Sequence, residues 1–199
     1  MRPIWIIIPG QAFGKGKTRL APVLDAQSRR RFSRDSLVHV VRTARRVVHA
    51  QHIIVVSRAA EVLGLAKHLG VRALRESGRG LNSAVTQASA FAARRGAAGT
   101  LVLHADLPNL CEDEVGGMVM SIAKHVGVVL APDQLREGSN ALGMRPAGKI
   151  HYCFGPGSFA RHRSQARQER TRLQVVISPG LAQDVDTPEN YRQFSMGKK

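Results

Sequence analysis

The sequence predicts an α/β fold, in which one domain holds a mostly parallel sheet with helices on both faces. Three near-continuous apolar runs, at 4–8, 53–57 and 101–104, have the composition of buried strands. The segments between them repeat apolar residues at helical spacing. Strands that alternate with helices build parallel sheets covered on both sides. The chain has 199 residues, a length that suits one hydrophobic core, so we expect a single domain over 1–199.

The individual elements follow from local patterns. In the first predicted helix, apolar residues such as Leu37, Val40 and Ala44 recur on one side, and arginines fill the other. The second helix is expected to stop at Gly70, a residue that commonly ends helices. Helices are predicted at 27–50, 59–69, 82–95, 112–125, 158–168 and 188–194, and four further strands at 71–74, 128–131, 141–144 and 173–177.

Composition leaves two classes of partner open. The formal net charge of +16 suits either nucleic acid or a polyanionic small molecule. The arginines lack the interleaved aromatic residues of a base-stacking surface, which makes nucleic acid the less favoured partner. The apolar run at 4–8 is too short for a membrane span or a signal peptide. Cys111 and Cys153 form no CxxC pair, so we expect reduced thiols and a cytoplasmic protein with no membrane partner.

A loop rich in glycine and lysine, residues 10–19, follows the first strand and approaches a helix. Backbone N–H groups and lysines in such a loop can bind phosphates. Its Gly16-Lys17-Thr18 end is similar to a Walker A motif, but five residues separate Gly10 from Gly16 where that motif has four. The sequence therefore argues against a P-loop kinase or ATPase. The simpler alternative is a flexible turn with solvated lysines.

Isolated carboxylates are the second chemical feature. Asp106 ends an apolar strand, where an ionised group needs water, a cation or hydrogen-bond donors, although a turn cap is an equal alternative. Asp184 and Asp186 lie two residues apart, so on an extended segment they share one face and repel each other unless a cation joins them. Carboxylates supplied one or two at a time suit Mg²⁺ held partly by substrate phosphates.

These features are expected to meet at one edge of the sheet. In open α/β sheets, ligands bind outside the carboxyl ends of the strands, near the point where the strand order reverses. The 10–17 loop, Ser57 and Asp106 each follow an apolar strand. The sequence therefore predicts a site assembled there from distant segments.

Taken in order, six segments resemble the CofC family, the guanylyltransferases of coenzyme F420 biosynthesis within the MobA-like nucleotidyltransferases. The resemblance covers nearly the whole chain and depends on the ordered set, since no single segment is specific. The segments are Lys17-Thr18-Arg19-Leu20-Ala21, Gly80-Leu81-Asn82, Ala105-Asp106-Leu107-Pro108, Gly138-Ser139-Asn140-Ala141-Leu142, Phe154-Gly155-Pro156-Gly157-Ser158-Phe159 and Asp184-Val185-Asp186-Thr187-Pro188-Glu189.

The resemblance implies a Rossmann-like three-layer domain with a defined reaction. Such enzymes transfer GMP from GTP to the phosphate of a three-carbon phospho-acid and release pyrophosphate. The acceptor is 2-phospho-L-lactate, phosphoenolpyruvate or 3-phospho-D-glycerate, and the product passes to the next enzyme of the pathway. The sequence leaves open which acid is preferred, whether guanine is selected over other bases and whether the protein is a homodimer. Another MobA-like nucleotidyltransferase and a basic nucleic-acid-binding module are the alternatives.

The resemblance also implies roles for individual residues. Asp106, Asp184 and Asp186 would bind magnesium. Ser139, Gly155 and Ser158 would bind the carboxylate of the acceptor. Lys17 and Arg19 would bind the triphosphate. The nucleotide would be lined by Gly80, Leu81 and Asn82. Lys17, Arg19 and Asp106 are the expected catalytic set.

Three departures from the family pattern bear on this assignment. Residues 10–12 replace a common Val-Lys-Pro, so one lysine is missing, and whether Lys15 compensates is open. Ser139 stands where the family commonly has threonine, and His104 stands where it often has proline. Arg161 or His162 is a candidate for contact with the acceptor, with a helix-surface role as the alternative for His162.

Overall fold

The computed structural model describes residues 2–196. Its seven strands are β1 (Ile4–Pro9), β2 (Ile53–Ser57), β3 (Arg72–Arg75), β4 (Gly99–Leu103), β5 (Gly127–Pro132), β6 (Ser139–Arg145) and β7 (Leu173–Val175). Its helices are α1 (Ala26–Val47), α2 (Ala60–His68), α3 (Leu81–Arg94), α4 (Glu112–Lys124), α5 (Ser158–Gln168), α6 (Pro179–Ala182) and α7 (Pro188–Met196). The predicted domain boundaries include residues 1 and 197–199, which lie outside the described residues.

All seven strands form one sheet in the order β3-β2-β1-β4-β6-β5-β7. Strands β1 to β4 are parallel, whereas β6 runs antiparallel to both β4 and β5. β7 is parallel to β5, so only β6 is reversed among the strands described. The predicted mostly parallel α/β sheet is confirmed.

The apolar runs are continuous because both faces of the sheet are buried. Successive side chains of a strand point to opposite faces, and in β1 Ile4, Ile6 and Ile8 join one core cluster while Trp5 and Ile7 join the other. Helices α1, α2 and α4 supply side chains to the first cluster, and α3 and α5 to the second. The result is the expected three-layer arrangement of helices, sheet and helices.

The strand order places a crevice at the middle of the sheet. From β1 the chain builds β2 and β3 on one side, then returns to lay β4 on the other side of β1. Loops that leave the carboxyl ends of β1 and β4 therefore diverge, and this is where open α/β sheets bind ligands. The 10–17 loop and Asp106 follow these two strands.

The predicted helices and strands differ from the observed ones mainly at their ends. Helix α1 stops at Val47 because Val48 is extended, and a short 3-10 turn, Ala50–His52, follows. The four-residue helix α6 was not predicted, since it is too short to show a helical repeat. Ser57 lies on the expected edge, but its hydroxyl accepts a hydrogen bond from the Ala59 N–H (3.0 Å) at the start of α2. Between residues 2 and 196, no helix combines the length and hydropathy that a membrane crossing requires.

Candidate active site

The side chain of Lys17 joins the first loop to two distant carboxylates. Its Nζ lies 2.8 Å from Asp106 Oδ2 and 2.5 Å from Asp186 Oδ1. The Lys17 side chain is only 6% exposed, whereas those of Asp106 and Asp186 are 28% and 46% exposed. The structure thus brings together the loop after β1, the end of β4 and the segment before α7, as the sequence predicts.

The first loop is held in place by one buried ring and one helix carboxylate. Phe13 packs into the core, and its N–H donates to Glu61 Oε1 of α2 (2.9 Å). Glu61 also forms an ion pair with Arg30 of α1. Sequence analysis missed Glu61, because a glutamate in an amphipathic helix looks like any solvated residue. The backbone of Lys17 adopts a left-handed conformation (φ 60°), which is uncommon for a residue other than glycine and is found at functional sites.

Each charge in this cluster changes the protonation of its neighbours. Burial disfavours the charged Lys17 ammonium, but Asp106 and Asp186 outweigh it and raise the lysine pKa. Burial likewise disfavours ionised Asp106, but Lys17 and then His104 outweigh it and lower the pKa of Asp106. Lys17 is therefore positively charged and Asp106 negatively charged at neutral pH.

Asp184 completes the acidic set from the other side. Val185 is buried between Asp184 and Asp186, so the two carboxylates share the opposite face of this segment, as predicted. Asp184 Oδ1 accepts a long hydrogen bond from Asn140 Nδ2 (3.4 Å). Burial, followed by repulsion from Asp106 and Asp186, raises the pKa of Asp184. Asp184 thus adds a third carboxylate to the two that pair with Lys17, and a further cation would relieve their repulsion.

One oxygen of the cluster lacks a partner. Asp106 Oδ1 is buried and accepts no hydrogen bond within residues 2–196. A buried carboxylate oxygen without a donor is costly, and a cation would satisfy it. The described residues form no metal site from three His, Cys, Asp or Glu side chains. This donor set fits Mg²⁺ held by one or two carboxylates together with phosphates, and the three-aspartate ligand set stays a prediction.

A second group of polar residues lies at the start of β6 and at the start of α5. Ser139 begins β6 and is 2% exposed, and its Oγ lies 3.0 Å from Nδ1 of His162 in α5. The Ser158 N–H donates to the Gly155 carbonyl (3.0 Å) in the turn that starts α5. Gly155 (φ 116°) and Gly157 (φ 70°) adopt backbone conformations that glycine tolerates and other residues rarely adopt. The predicted acceptor residues Ser139, Gly155 and Ser158 are therefore gathered in one region.

Comparison with known proteins identifies the family. A family model described as "Guanylyl transferase CofC like" matches residues 4–197. The chain belongs to the CofC family. The resemblance found in the sequence is confirmed, and the enzyme class is that of the nucleotidyltransferases.

Curated relatives extend over most of this CofC-family chain. The phosphoenolpyruvate guanylyltransferase of Sphaerobacter thermophilus is 36% identical over 95% of this chain and 91% of its own length. That of Rubrobacter xylanophilus is 35% identical over 94% of this chain and 91% of its own length. The 2-phospho-L-lactate guanylyltransferase of Methanothermobacter thermautotrophicus is 32% identical over 92% of this chain and 80% of its own length.

Solved structures share the fold of this CofC protein at low identity. A Desulfovibrio desulfuricans protein described as a nucleotide-diphospho-sugar transferase superposes with a TM-score of 0.79 at 17% identity, covering 100% of this chain and 89% of its own. A 4-diphosphocytidyl-2C-methyl-D-erythritol synthase superposes with a TM-score of 0.67 at 13% identity, covering 100% and 99% of the two chains. At such identities these structures show the fold alone, and they confirm the predicted nucleotidyltransferase-like architecture.

The side chain of Asn82 is hydrogen-bonded to the backbone of Phe154, and its predicted nucleotide contact stays a prediction. Its Nδ2 donates to the Phe154 carbonyl (3.2 Å), and its Oδ1 accepts from the Phe154 N–H (2.7 Å). Both polar atoms thus support the loop before α5, where Gly155 lies. Gly80 and Leu81 stand at the start of α3, where free backbone N–H groups suit a phosphate or base, and their predicted nucleotide contacts stay predictions.

Three basic residues lie near the site in different environments. Arg19 is exposed in the 3-10 turn Thr18–Leu20, and Lys15 is exposed earlier in the same loop. Arg161 donates from Nη2 to the Cys153 carbonyl (2.8 Å) and from Nη1 to the Pro156 carbonyl, so its guanidinium holds the acceptor loop. Arg19 therefore remains the candidate for an incoming triphosphate, and the acceptor contact suggested for Arg161 stays a prediction.

The helix-surface interpretation of His162 is wrong. His162 is 0% exposed, and its ring packs edge-on against Phe154 with centroids 5.0 Å apart. Sequence analysis gave this surface role as the alternative to contact with the acceptor. The tertiary structure instead turns this face of α5 onto Phe154 and Ser139.

Proposed function

We propose that this protein transfers GMP from GTP to the phosphate of a three-carbon phospho-acid and releases pyrophosphate. The observation that carries the proposal is Lys17, whose ammonium contacts both Asp106 and Asp186. The Lys17 ammonium suits a triphosphate, and the polar groups around Ser139 suit a small anion. Family membership supports guanylyl transfer as the reaction that uses both.

Phosphoenolpyruvate is the acceptor that we propose first. The relatives at 36% and 35% identity carry the name phosphoenolpyruvate guanylyltransferase, and these cover almost the whole chain. 2-Phospho-L-lactate, named for a 32% identical relative, and 3-phospho-D-glycerate are the other acceptors to compare. All three combine a carboxylate with a phosphate. The buried hydroxyls of Ser139 and Ser158 and the Gly155 amide would bind the carboxylate.

The residues supply position and charge rather than a strong base. An oxygen of the acceptor phosphate is already anionic, so it can attack the α-phosphorus of GTP directly. A new P–O bond forms there as the bond from the α-phosphorus to the leaving oxygen breaks, and pyrophosphate takes that electron pair. Lys17 and Arg19 would neutralise the charge that builds up on the departing pyrophosphate.

Asp106, Asp184 and Asp186 are the residues that would hold Mg²⁺. When bound, the ion supplies Lewis-acid neutralisation of the phosphate oxygens. The unpartnered Oδ1 of Asp106 and the raised pKa of Asp184 support this assignment, because both describe carboxylates short of positive charge.

We place the reaction in the cytoplasm, in coenzyme F420 biosynthesis, with the product consumed by the next enzyme of that pathway. Support comes from the family resemblance and from the two cysteines, Cys111 and Cys153, which are both free. The test uses the purified protein with magnesium and GTP, offered each phospho-acid in turn. Pyrophosphate release is measured, and the labile product is trapped with the next pathway enzyme.

The competing proposal is a basic nucleic-acid-binding module, favoured by the net charge of +16. Parallel binding measurements on arbitrary duplex DNA at two salt concentrations distinguish the two. Pyrophosphate release with one acid supports transfer and identifies the acceptor. If no pyrophosphate is released with any of the three acids, and the folded protein binds DNA in a salt-sensitive way, the binding module is supported instead.

A further inference from the structure

Two hydrogen bonds determine which ring nitrogen of His162 carries the proton. The Cys153 backbone N–H points at Nε2 of His162, at 3.1 Å. A backbone N–H can only donate, so Nε2 must accept and carries no hydrogen. In a neutral imidazole the single hydrogen is then on Nδ1.

Nδ1 faces Ser139, and this decides the direction of the next hydrogen bond. The two atoms Nδ1 and Oγ are 3.0 Å apart. Because Nδ1 carries the hydrogen, it donates and Ser139 Oγ accepts. The hydroxyl hydrogen of Ser139 is therefore not used on His162. In the part of the chain that the structure describes, this hydroxyl has no second protein partner.

The surroundings of His162 keep the ring neutral. Burial, followed by electrostatic repulsion of the charged ring by Arg161 and then by His104, lowers the pKa of His162 to about 4. Were the ring protonated, Nε2 would meet the Cys153 N–H donor to donor. A single tautomer is thus compatible with both neighbours at neutral pH.

We propose that His162 is a positioning residue that holds Ser139 as a hydrogen-bond donor toward the anionic group of the acceptor. This inference rests on the proposed function. A serine hydroxyl can donate or accept, and an anion accepts only. Because Nδ1–H of His162 donates to Ser139 Oγ, the hydroxyl hydrogen cannot be spent on His162 and stays available for the anion. The Cys153 N–H in turn fixes His162. The two hydrogen bonds from Cys153 to His162 and from His162 to Ser139 therefore direct the Ser139 hydroxyl to donate to an anion.

The kinetic test uses a double-mutant cycle with His162→Phe and Ser139→Ala. A hydrogen bond to a charged group contributes about 1.5–3 kcal/mol, so each single variant should raise KM for the phospho-acid on the order of ten- to a hundred-fold. KM for GTP should change less than about threefold by the same reasoning, since the nucleotide is bound elsewhere. In the double variant the effects should not add, because His162 acts through Ser139. His151→Phe, at an exposed histidine before the same loop, is the matched control.

A second substitution of His162 distinguishes a role in positioning Ser139 from a role in packing alone. In His162→Asn the shorter side chain can still present an N–H toward Ser139, so it should recover part of the affinity that His162→Phe loses. Additive effects in the cycle, equal rises in KM for GTP and acid, or a fall in thermal stability with unchanged KM would each overturn the proposal.

The tautomer is measured on the unmodified protein, so the proposal remains testable if a variant does not fold. Nitrogen NMR of the histidine rings should show His162 neutral and protonated at Nδ1 near pH 7. A His162 ring protonated at Nε2 overturns the inference. If the unmodified protein releases no pyrophosphate with any acid, the proposed function fails; if it is active and His162→Phe is unaffected, only this inference fails.

Discussion

The ammonium of Lys17 lies 2.8 Å from the carboxylate of Asp106, although 89 residues separate them in the sequence. The contact exists because β1 and β4 are neighbours, so the loops at their carboxyl ends open onto one crevice. Each group keeps the other charged in a partly buried place. The predictions below test this cluster and the side chains that support it.

Asp106→Asn should lower kcat at least about a hundred-fold and leave the fold intact, because the amide keeps the shape but removes the negative charge. Turnover is measured as pyrophosphate release and folding by circular dichroism. Asp113→Asn, at an exposed aspartate of α4, is the matched control. Unchanged turnover in Asp106→Asn would remove this residue from the mechanism.

Lys17→Met should raise KM for GTP and reduce stability by about 1–3 kcal/mol, because Asp106 loses its ion partner. The loss should be smaller than for a fully buried pair, since Asp106 and Asp186 are 28% and 46% exposed. Urea unfolding measures the stability. The exposed neighbour Lys15 serves as the control, and an equal effect of Lys15→Met would contradict the assignment.

The same pair predicts a pH dependence of stability. The folded pKa of Asp106 is lowered from 3.8, so its contribution to stability is present above that value and is lost as pH falls through the folded pKa. The difference in unfolding free energy between the unmodified protein and Lys17→Met should therefore be full at neutral pH and shrink below about pH 4. Urea titrations at several pH values test this. A difference that grows in acid would contradict the assignment.

Asn82→Ala should raise KM for the phospho-acid more than KM for GTP. The substitution leaves the N–H and C=O of Phe154 without their side-chain partner, which costs about 1–3 kcal/mol and loosens the acceptor loop. Steady-state kinetics with each substrate varied in turn measure both constants. Thr86→Ala, one turn further along α3, is the control. A larger rise in KM for GTP would instead support the predicted nucleotide contact of Asn82.

Glu61→Ala should raise KM for GTP several-fold, because the Phe13 N–H loses its acceptor and the first loop is no longer held against α2. KM for the acid should stay nearly constant. Glu169→Ala, at an exposed glutamate that follows α5, should leave both constants unchanged. Kinetics indistinguishable from the unmodified protein would show that burial of Phe13 alone positions the loop.

Removal of divalent metal should abolish turnover, and added Mg²⁺ should restore it. In Asp184→Asn the concentration of Mg²⁺ needed for half-maximal rate should rise about tenfold or more, because one carboxylate of the set becomes neutral. Rates after chelation and readdition of metal give this concentration, with Asp113→Asn as the comparison. Full activity in the presence of chelator would overturn the metal assignment.

The sequence by itself determined most of the elements and the class of the fold. Buried strands need apolar residues on both faces, and the runs 53–57 and 101–104 could be recognised without knowing their neighbours. Helix α2 ends at His68 with Leu69 as its C-cap, directly before the predicted stop at Gly70, since the stop is a local property of glycine. Local patterns also singled out the Lys17 loop, Asp106 and the Asp184–Asp186 pair; the family resemblance gave these residues roles, and the structure brings them close together.

Only the tertiary structure decided the strand order and the supporting side chains. The reversed strand β6 reads like any other apolar run, because direction depends on which strands it pairs with. Glu61, Asn82 and His162 each sit in a helix whose local pattern is ordinary. Each contacts a partner that is distant in sequence. Glu61 binds Phe13, 48 residues away, Asn82 binds Phe154, 72 residues away, and His162 contacts Ser139, 23 residues away. Such contacts are set by how helices pack on the sheet, and no local spacing of residues encodes them.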